Sequence, residues 1–302
     1  MSRPATSALH PEYPSPGVVL ELLKPITWFP PMWAFGCGVV SAGVPAQGRW
    51  LTILAGVILC GPLLCASSQA VNDWFDRHVD AINEPNRPIP SGRMPGRWGL
   101  YVAIAWSLMA LAWAAALGTP VFVAAGLGVV LSWAYSMPPV RLKQNGWWGN
   151  TACAICYEGF AWVTGATLMA GGQWPSLRIF GIAALYSLGT HGIMTLNDFK
   201  SIDGDRRLGV GSLPVRLGAE AAGKVACAAM ALPQAVVVGL LFHWDRPWHA
   251  LAVSGVLAAQ LACMVRLLKD PKGLAPWYNA TGVSLFVSGM MISAFALRGL
   301  AG

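Results

Sequence analysis

One pattern of polar side chains occurs twice in this 302-residue chain: Asn72, Asp73, Asp76 and Asp80, then Asn197, Asp198, Ser201 and Asp205 at an offset of 125 residues. On an α-helix turning about 100° per residue, Asp73, Asp76 and Asp80 fall within an arc of about 60°, while Trp74 and Phe75 point away. Like charges at these spacings destabilise a lone helix, so a cation is expected to neutralise the stripe. Asp198, Ser201 and Asp205 form the same arc. Asp203 lies about 140° from Asp198 if the helix continues, and joins the arc only if Gly204 ends it. Hard oxygen ligands in small numbers on two facing helices suit Mg²⁺, which keeps several waters and bridges one or two carboxylates to substrate phosphates. Arg77, Arg87, Arg93, Arg141, Lys143, Lys200, Arg206, Arg207 and Arg216 lie around the two stripes in the sequence, enough positive charge to hold a diphosphate. The structural alternative is a pair of helix ends ion-paired with those arginines.

The elements that position these residues are membrane spans. Apolar residues make up 55% of the chain and charged residues 11%, against roughly 25% charged in a soluble domain. That composition excludes a secreted disulfide-stapled domain, a nucleic-acid-binding protein and a disordered chain. Apolar runs bounded by Pro, Gly and charge predict nine transmembrane helices, at 26–45, 50–71, 99–117, 121–137, 150–170, 178–196, 225–242, 248–265 and 278–297. They are expected to pack as one all-α domain over 1–302, two parallel four-helix repeats plus a ninth helix, because both acidic patterns close a span on the same face. Of the 20 Lys and Arg residues only Arg49, Arg178, Arg246 and Arg298 fall on the far face. The other sixteen, Arg3 and Lys24 among them, place the N-terminus and the acidic stripes in the cytoplasm. The N-terminal segment has no signal-peptide pattern. Seven cysteines lie mostly inside spans and read as packing residues, Cys153 and Cys156 included.

The stretch from Asn72 to Arg93, NDWFDRHVDAINEPNRPIPSGR, resembles the first signature of the UbiA superfamily of intramembrane prenyltransferases. The stretch from Asn197 to Gly218, NDFKSIDGDRRLGVGSLPVRLG, is similar to the second signature of its chlorophyll synthase branch, as is Tyr135-Ser136-Met137-Pro138-Pro139 with Arg141 and Lys143. Within that branch the likeness is greatest to the members from purple phototrophic bacteria. The resemblance covers nearly the whole chain. It implies a nine-helix bundle, two Mg²⁺ ions, a geranylgeranyl or phytyl diphosphate donor and a bacteriochlorophyllide or chlorophyllide acceptor. It also implies a bacterial cytoplasmic or intracytoplasmic membrane, and association with other pigment-biosynthesis or photosystem-assembly proteins. Carried over by residue, Asn72, Asp73, Asp76 and Asp80 match the first metal motif, Asp198 and Asp205 the second, and Arg141 and Lys143 the diphosphate contacts, with Asn197 expected among the substrate-binding residues. Ser201 stands where several sister enzymes carry Asp, so the second site is expected to be weaker or to recruit Asp203.

Two polar residues lie deep in spans. Glu158 is the one acid placed there, where an ionisable group costs roughly 2.5–3.5 kcal/mol on insertion scales. His191 precedes Asp198 by two helical turns, on the same face and about 10 Å deeper; it could touch an acceptor or ligate its central metal, or be an internally bonded histidine. With no Ser-His-Asp or Cys-His arrangement in view, the expected reaction is attack by an acceptor propionate, ionised at neutral pH, on an allylic diphosphate whose leaving charge is stabilised by Mg²⁺ and basic residues. Rival readings are prenylation of an aromatic quinone precursor or haem, a cation transporter and a non-catalytic pigment scaffold. Transporters place such acids near the midplane on broken helices, often with inverted repeats.

Overall fold

The computed structural model describes residues 12–300, and Arg3, counted above in the charge asymmetry, lies outside them. The described residues are helical throughout, apart from turns and one isolated bridge between Asn145 and Gly211. The helices are α1 (Pro16–Leu23), α2 (Phe29–Ser41), α3 (Trp50–Ile58), α4 (Ala66–Asn83), α5 (Trp98–Leu117), α6 (Thr119–Ser136) and α7 (Gly146–Ala154). They continue with α8 (Ala161–Met169), α9 (Leu177–Asn197), α10 (Ile202–Arg207), α11 (Leu213–Leu217), α12 (Ala219–His243), α13 (Pro247–Leu267) and α14 (Pro271–Arg298). Local sequence sets several starts. Ser15, Asn145 and Asp270 accept backbone N–H groups at the heads of α1, α7 and α14, and proline opens α1, α2, α6 and α13, where its missing N–H costs nothing.

Two long stretches are interrupted by π-turns. Leu59–Cys65 joins α3 to α4 and contains Pro62, which cannot donate to the helical ladder. Ile155–Phe160 joins α7 to α8 and carries Glu158. Among the described residues, seven helical stretches are long and apolar enough to cross a membrane: 50–83, 98–117, 119–136, 177–207, 219–243, 247–267 and 271–298. Helices also occupy the other two segments expected to span. However, α2 has 13 residues, and α7 and α8 are nine-residue helices around a π-turn, so neither reaches that measure of length and composition.

Packing follows small residues, as expected where lipid removes the hydrophobic drive between helices. A Cβ on Gly38 of α2 would collide with the Trp162 carbonyl of α8, and one on Gly165 with the Phe35 carbonyl, so two glycines let these backbones touch. Buried Trp162 stacks on Tyr186 at 5.8 Å and donates its indole N–H to Ser41 at 3.0 Å. Leu51, Leu108, Val130, Leu188, Leu232 and Val265 point outward, the arrangement a bilayer solvates.

At one end of the bundle the loops converge. Gly146 donates to Gly211 at 2.8 Å and Gly211 to Gln144 at 3.0 Å, tying the segment before α7 to that before α11. Arg93 grips Glu21 through two bonds of 2.5 and 2.8 Å, fastening α1 to the loop after α4 and holding the Glu21 carboxyl below its usual pKa. This end carries both acidic patterns.

Candidate active site

The helix runs unbroken from Ala66 to Asn83, three turns beyond the span expected at 50–71, so the 100° geometry holds for the first stripe. Asp73 and Asp80 are almost fully buried, 2% and 6% exposed. Lys24 reaches Asp73 at 2.5 Å, and Arg87 bridges Asp73 at 3.5 Å and Asp80 at 2.8 Å. Arg141 meets Asp76 at 3.2 Å, Lys143 contacts the same carboxylate, and Asn72 donates to it at 3.0 Å. Burial pulls the Lys143 ammonium below its ordinary pKa, against the opposing pull of Asp76. Four cations thus meet three carboxylates, and in the described side chains the ion-paired arrangement is the one this stripe forms.

The second pattern is built differently. Regular α-helix ends at Asn197, and residues 198–201 form a tighter 3₁₀ turn before α10. Asp198 accepts from the Asn150 amide at 3.0 Å, and that amide also lies 3.3 Å from Thr195. Ser201 donates to Asp205 at 2.8 Å, and Asn279 of α14 donates to Asn197 at 3.0 Å. Among the described residues no Lys, Arg or His side chain lies within 4.0 Å of the Asp198 or Asp205 carboxylates. Asp203 does not join them: α10 continues through Gly204, so the helix end that would have swung it in is missing, and it is exposed beside Lys272 at 3.3 Å, which removes the ground for its expected recruitment to a metal.

Other expected contacts separate in the same way. Arg77 folds back over the Trp74 ring at 4.2 Å and donates to the Trp74 carbonyl, away from the stripe. Lys200 and Arg206 are exposed beside α10. Tyr135 lies 5.9 Å under the Lys143 ammonium. Glu158 is 3% exposed with one carboxylate oxygen unpartnered, far down the bundle from the stripes. Three contributors were not singled out from the sequence: Lys24, Asn150 and Asn279. For the two amides the available signal was an uncharged hydrogen-bonding group inside an otherwise apolar run, which has to find a partner once buried.

Among the described residues no three His, Cys, Asp or Glu side chains stand together as a ready-made metal cage. The donor set nevertheless fits a hard divalent cation shared with a phosphate-bearing ligand, a case in which the protein supplies only one or two carboxylates. Asp73 Oδ2 is buried without a hydrogen-bond partner, and Asp198 presents a carboxylate with no countercharge.

Beneath this end lie three volumes, two of them mainly apolar. A cavity of about 210 Å³ opens under Asn72 between α4, α6 and α7, lined by Gln69, Tyr135, Cys153 and Tyr157. It shares Ser68, Ser132, Cys156 and Tyr157 with a deeper void of about 50 Å³ that continues toward Pro31 and Thr164. On the other side of α7 and α8 a wider bay of about 900 Å³ faces α6, α9 and α12.

Comparison with known proteins places these features. A protein named bacteriochlorophyll synthase 33 kDa chain, from Cereibacter sphaeroides, is 54% identical over 294 residues, 97% of either chain. Chlorophyll synthase of Oryza sativa subsp. japonica, a chloroplastic protein, is 38% identical over 290 residues, 92% of this chain and 76% of that one. A UbiA homolog from Archaeoglobus fulgidus, solved bound to GPP and Mg²⁺, shares the fold with a TM-score of 0.69 at 19% identity, over 93% of this chain and 99% of that one. The UbiA prenyltransferase family pattern matches residues 27–290, and with nine-tenths of the chain aligned to such relatives, the protein belongs to the UbiA prenyltransferase family.

Proposed function

We propose that the protein esterifies the propionate of bacteriochlorophyllide a, or of chlorophyllide a, with a geranylgeranyl or phytyl group taken from the corresponding diphosphate. The observation that carries the reading is the placement of two carboxylate-bearing helix ends and the basic groups Arg87, Arg141 and Lys143 above a cavity that is part polar at its mouth and continues into a deeper apolar void. The names of relatives matched end to end support the choice of acceptor. In the membrane the chain is read as nine spans in two parallel repeats of four plus one, with the N-terminus and the acidic end in the cytoplasm of a bacterial inner membrane.

The chain's own groups divide the work. Arg141 and Lys143, brought in by the loop after α6, hold the diphosphate, and Arg87 answers from the loop after α4. Asp73, Asp76 and Asp80 on one side and Asp198 and Asp205 on the other would hold two Mg²⁺ ions, which when bound would supply countercharge for the leaving diphosphate. Asn72 fixes the Asp76 carboxylate, while Asn197 is itself held by the Asn279 amide. The channel below Asn72, from Gln69 down to Thr164, takes the prenyl tail and keeps water from the allylic carbon. The propionate arrives ionised, its oxygen bonds to that carbon, and the carbon–oxygen bond to diphosphate breaks. No base in the chain is required.

Incubating purified protein with Mg²⁺, geranylgeranyl diphosphate and bacteriochlorophyllide a, then separating pigments by chromatography, tests the reading. The expected product is one prenyl ester per diphosphate released, abolished by chelation. Prenylation of a phenolic acid with no prenylated tetrapyrrole would replace the acceptor.

A further inference from the structure

The narrow channel under Asn72 is suited to a linear chain, yet the proposed reaction also needs room for a flat macrocycle. A far wider volume, the bay of about 900 Å³, lies across α7 and α8 from that channel. The partition between the two volumes is thin: Ala124 and Phe160 line both the bay and the deep part of the channel. On α7, Asn150 bonds Asp198 while the next residue, Thr151, faces the bay, so the bay's upper end adjoins the acidic pattern.

His191 stands at that end. It is 9% exposed, lines the bay, and stacks with Trp147 at 5.6 Å and 21°. Its Nδ1 is 3.1 Å from the Thr151 hydroxyl, whereas its Nε2 is buried without a partner. An imidazole nitrogen left unsatisfied in an apolar pocket, with its other nitrogen anchored, is the arrangement found at metal-ligating histidines: in the tautomer whose Nδ1–H donates to the Thr151 hydroxyl, the lone pair is left on Nε2. The surrounding walls offer flat apolar contact and almost no other polar group, so a ligand that satisfies Nε2 has to bring a Lewis acid inside a large apolar frame. Hydrated cations do not fit that description. A magnesium tetrapyrrole does.

We propose that the bay is the acceptor site, with His191 Nε2 as axial ligand to the central magnesium of the tetrapyrrole and the propionate directed toward Asn150 and Asp198. This rests on the esterification reading and locates its second substrate. His191 lies two turns, about 10 Å, below Asp198 on α9, a separation that a macrocycle's metal and its peripheral carboxylate can span. His191 is therefore a specificity-determining residue: it selects acceptors that carry a metal.

The test titrates the full-length detergent-solubilised protein with bacteriochlorophyllide a and, separately, with its magnesium-free counterpart, following pigment absorption. The wild type is expected to bind the magnesium pigment about tenfold or more tightly than the metal-free one, the scale of one ligating interaction, with a shift of the visible band that reports axial coordination. In His191→Ala that preference and that shift disappear, metal-free binding stays, and added imidazole restores both. A retained preference, or equal loss of both pigments, overturns the assignment. Ala184→Trp, at an exposed position lining the bay, is the second variant. It should weaken both pigments about tenfold while leaving geranylgeranyl diphosphate binding unchanged; undiminished pigment binding there places the ring elsewhere. Wild-type turnover separates this from the underlying reading: ring binding as described without any ester formed would sink esterification and leave the ring site standing.

Discussion

The two acidic patterns share a spacing, with Ser201 in place of Asp76, and differ in what surrounds them. On α4 three carboxylates lie among Lys24, Arg87, Arg141 and Lys143, whereas Asp198 and Asp205 are held by an amide and a hydroxyl with no described cation within 4.0 Å. Repeated residues need not make repeated sites. The first pattern is charge-balanced within the protein and shaped to receive an anion. The second has no described cation beside it, and on the proposed reading it would depend more heavily on a bound divalent cation. An exposed ion pair would be worth 0–1 kcal/mol, but a buried carboxylate stripped of its partner is costly by about 3–5 kcal/mol. The pairs on α4 therefore hold buried Asp73 and Asp80 in place.

The sharpest way to break the comparison is to neutralise one carboxylate from each pattern. Asp198→Asn is expected to lower turnover by about 100-fold or more, the scale of removing one group that stabilises developing charge. Asp80→Asn, whose carboxylate is committed to Arg87 in the protein, should lose markedly less. Turnover at saturating Mg²⁺ decides it; equal losses would mean that the two patterns are equivalent in use. Next in size is Lys143→Met, expected to raise the KM for the diphosphate donor by about tenfold with kcat largely kept, because Lys143 binds the donor in ground and transition states alike. A fall in kcat alone would move Lys143 from donor binding to the chemical step.

Ser201 sharpens the comparison further. Its hydroxyl donates to Asp205, so Ser201→Ala removes a bond worth about 1 kcal/mol and should change turnover only a few-fold. Ser201→Asp adds a charge to the pattern that already lacks cations, and should shift the Mg²⁺ concentration giving half-maximal rate. Total inactivity of Ser201→Ala would assign the hydroxyl an essential role. The smallest effect is expected at Asp203, exposed beside Lys272. Asp203→Asn should stay within about twofold of wild type in rate, and within about 0.5 kcal/mol in stability by denaturation, as surface substitutions usually do. A large loss of rate would return Asp203 to the second site.

This contrast also shows what the sequence makes legible. The spacing of Asp73, Asp76 and Asp80 could be turned into a face because α4 is one continuous helix. After Asn197 the chain tightens into a 3₁₀ turn that no local signal announces, yet Ser201 still meets Asp205, and because α10 continues through Gly204, Asp203 stays off the arc and faces solvent. Pattern reading finds all nine apolar stretches that become helical; seven meet the length and apolarity of a span, and the other two fall below that measure because α2 is short and a π-turn divides α7 from α8, features that close packing at Gly38 and Gly165 accompanies and no apolar run announces. Lys24 reads only as one more cytoplasmic charge until the fold brings it to Asp73, a residue 49 positions away. The importance of His191 could be suspected from its register with Asp198, but its free Nε2 and the bay beside it exist only in three dimensions.

The most direct test of the proposed chemistry labels the acceptor. Bacteriochlorophyllide a carrying ¹⁸O in both oxygens of its propionate is converted with geranylgeranyl diphosphate and Mg²⁺, and both products are weighed by mass spectrometry. Attack by the ionised propionate on the allylic carbon leaves both labels in the pigment ester and none in the released diphosphate. Transfer of one label to diphosphate would mean that the carboxyl group, not the prenyl carbon, is activated, and would contradict the mechanism.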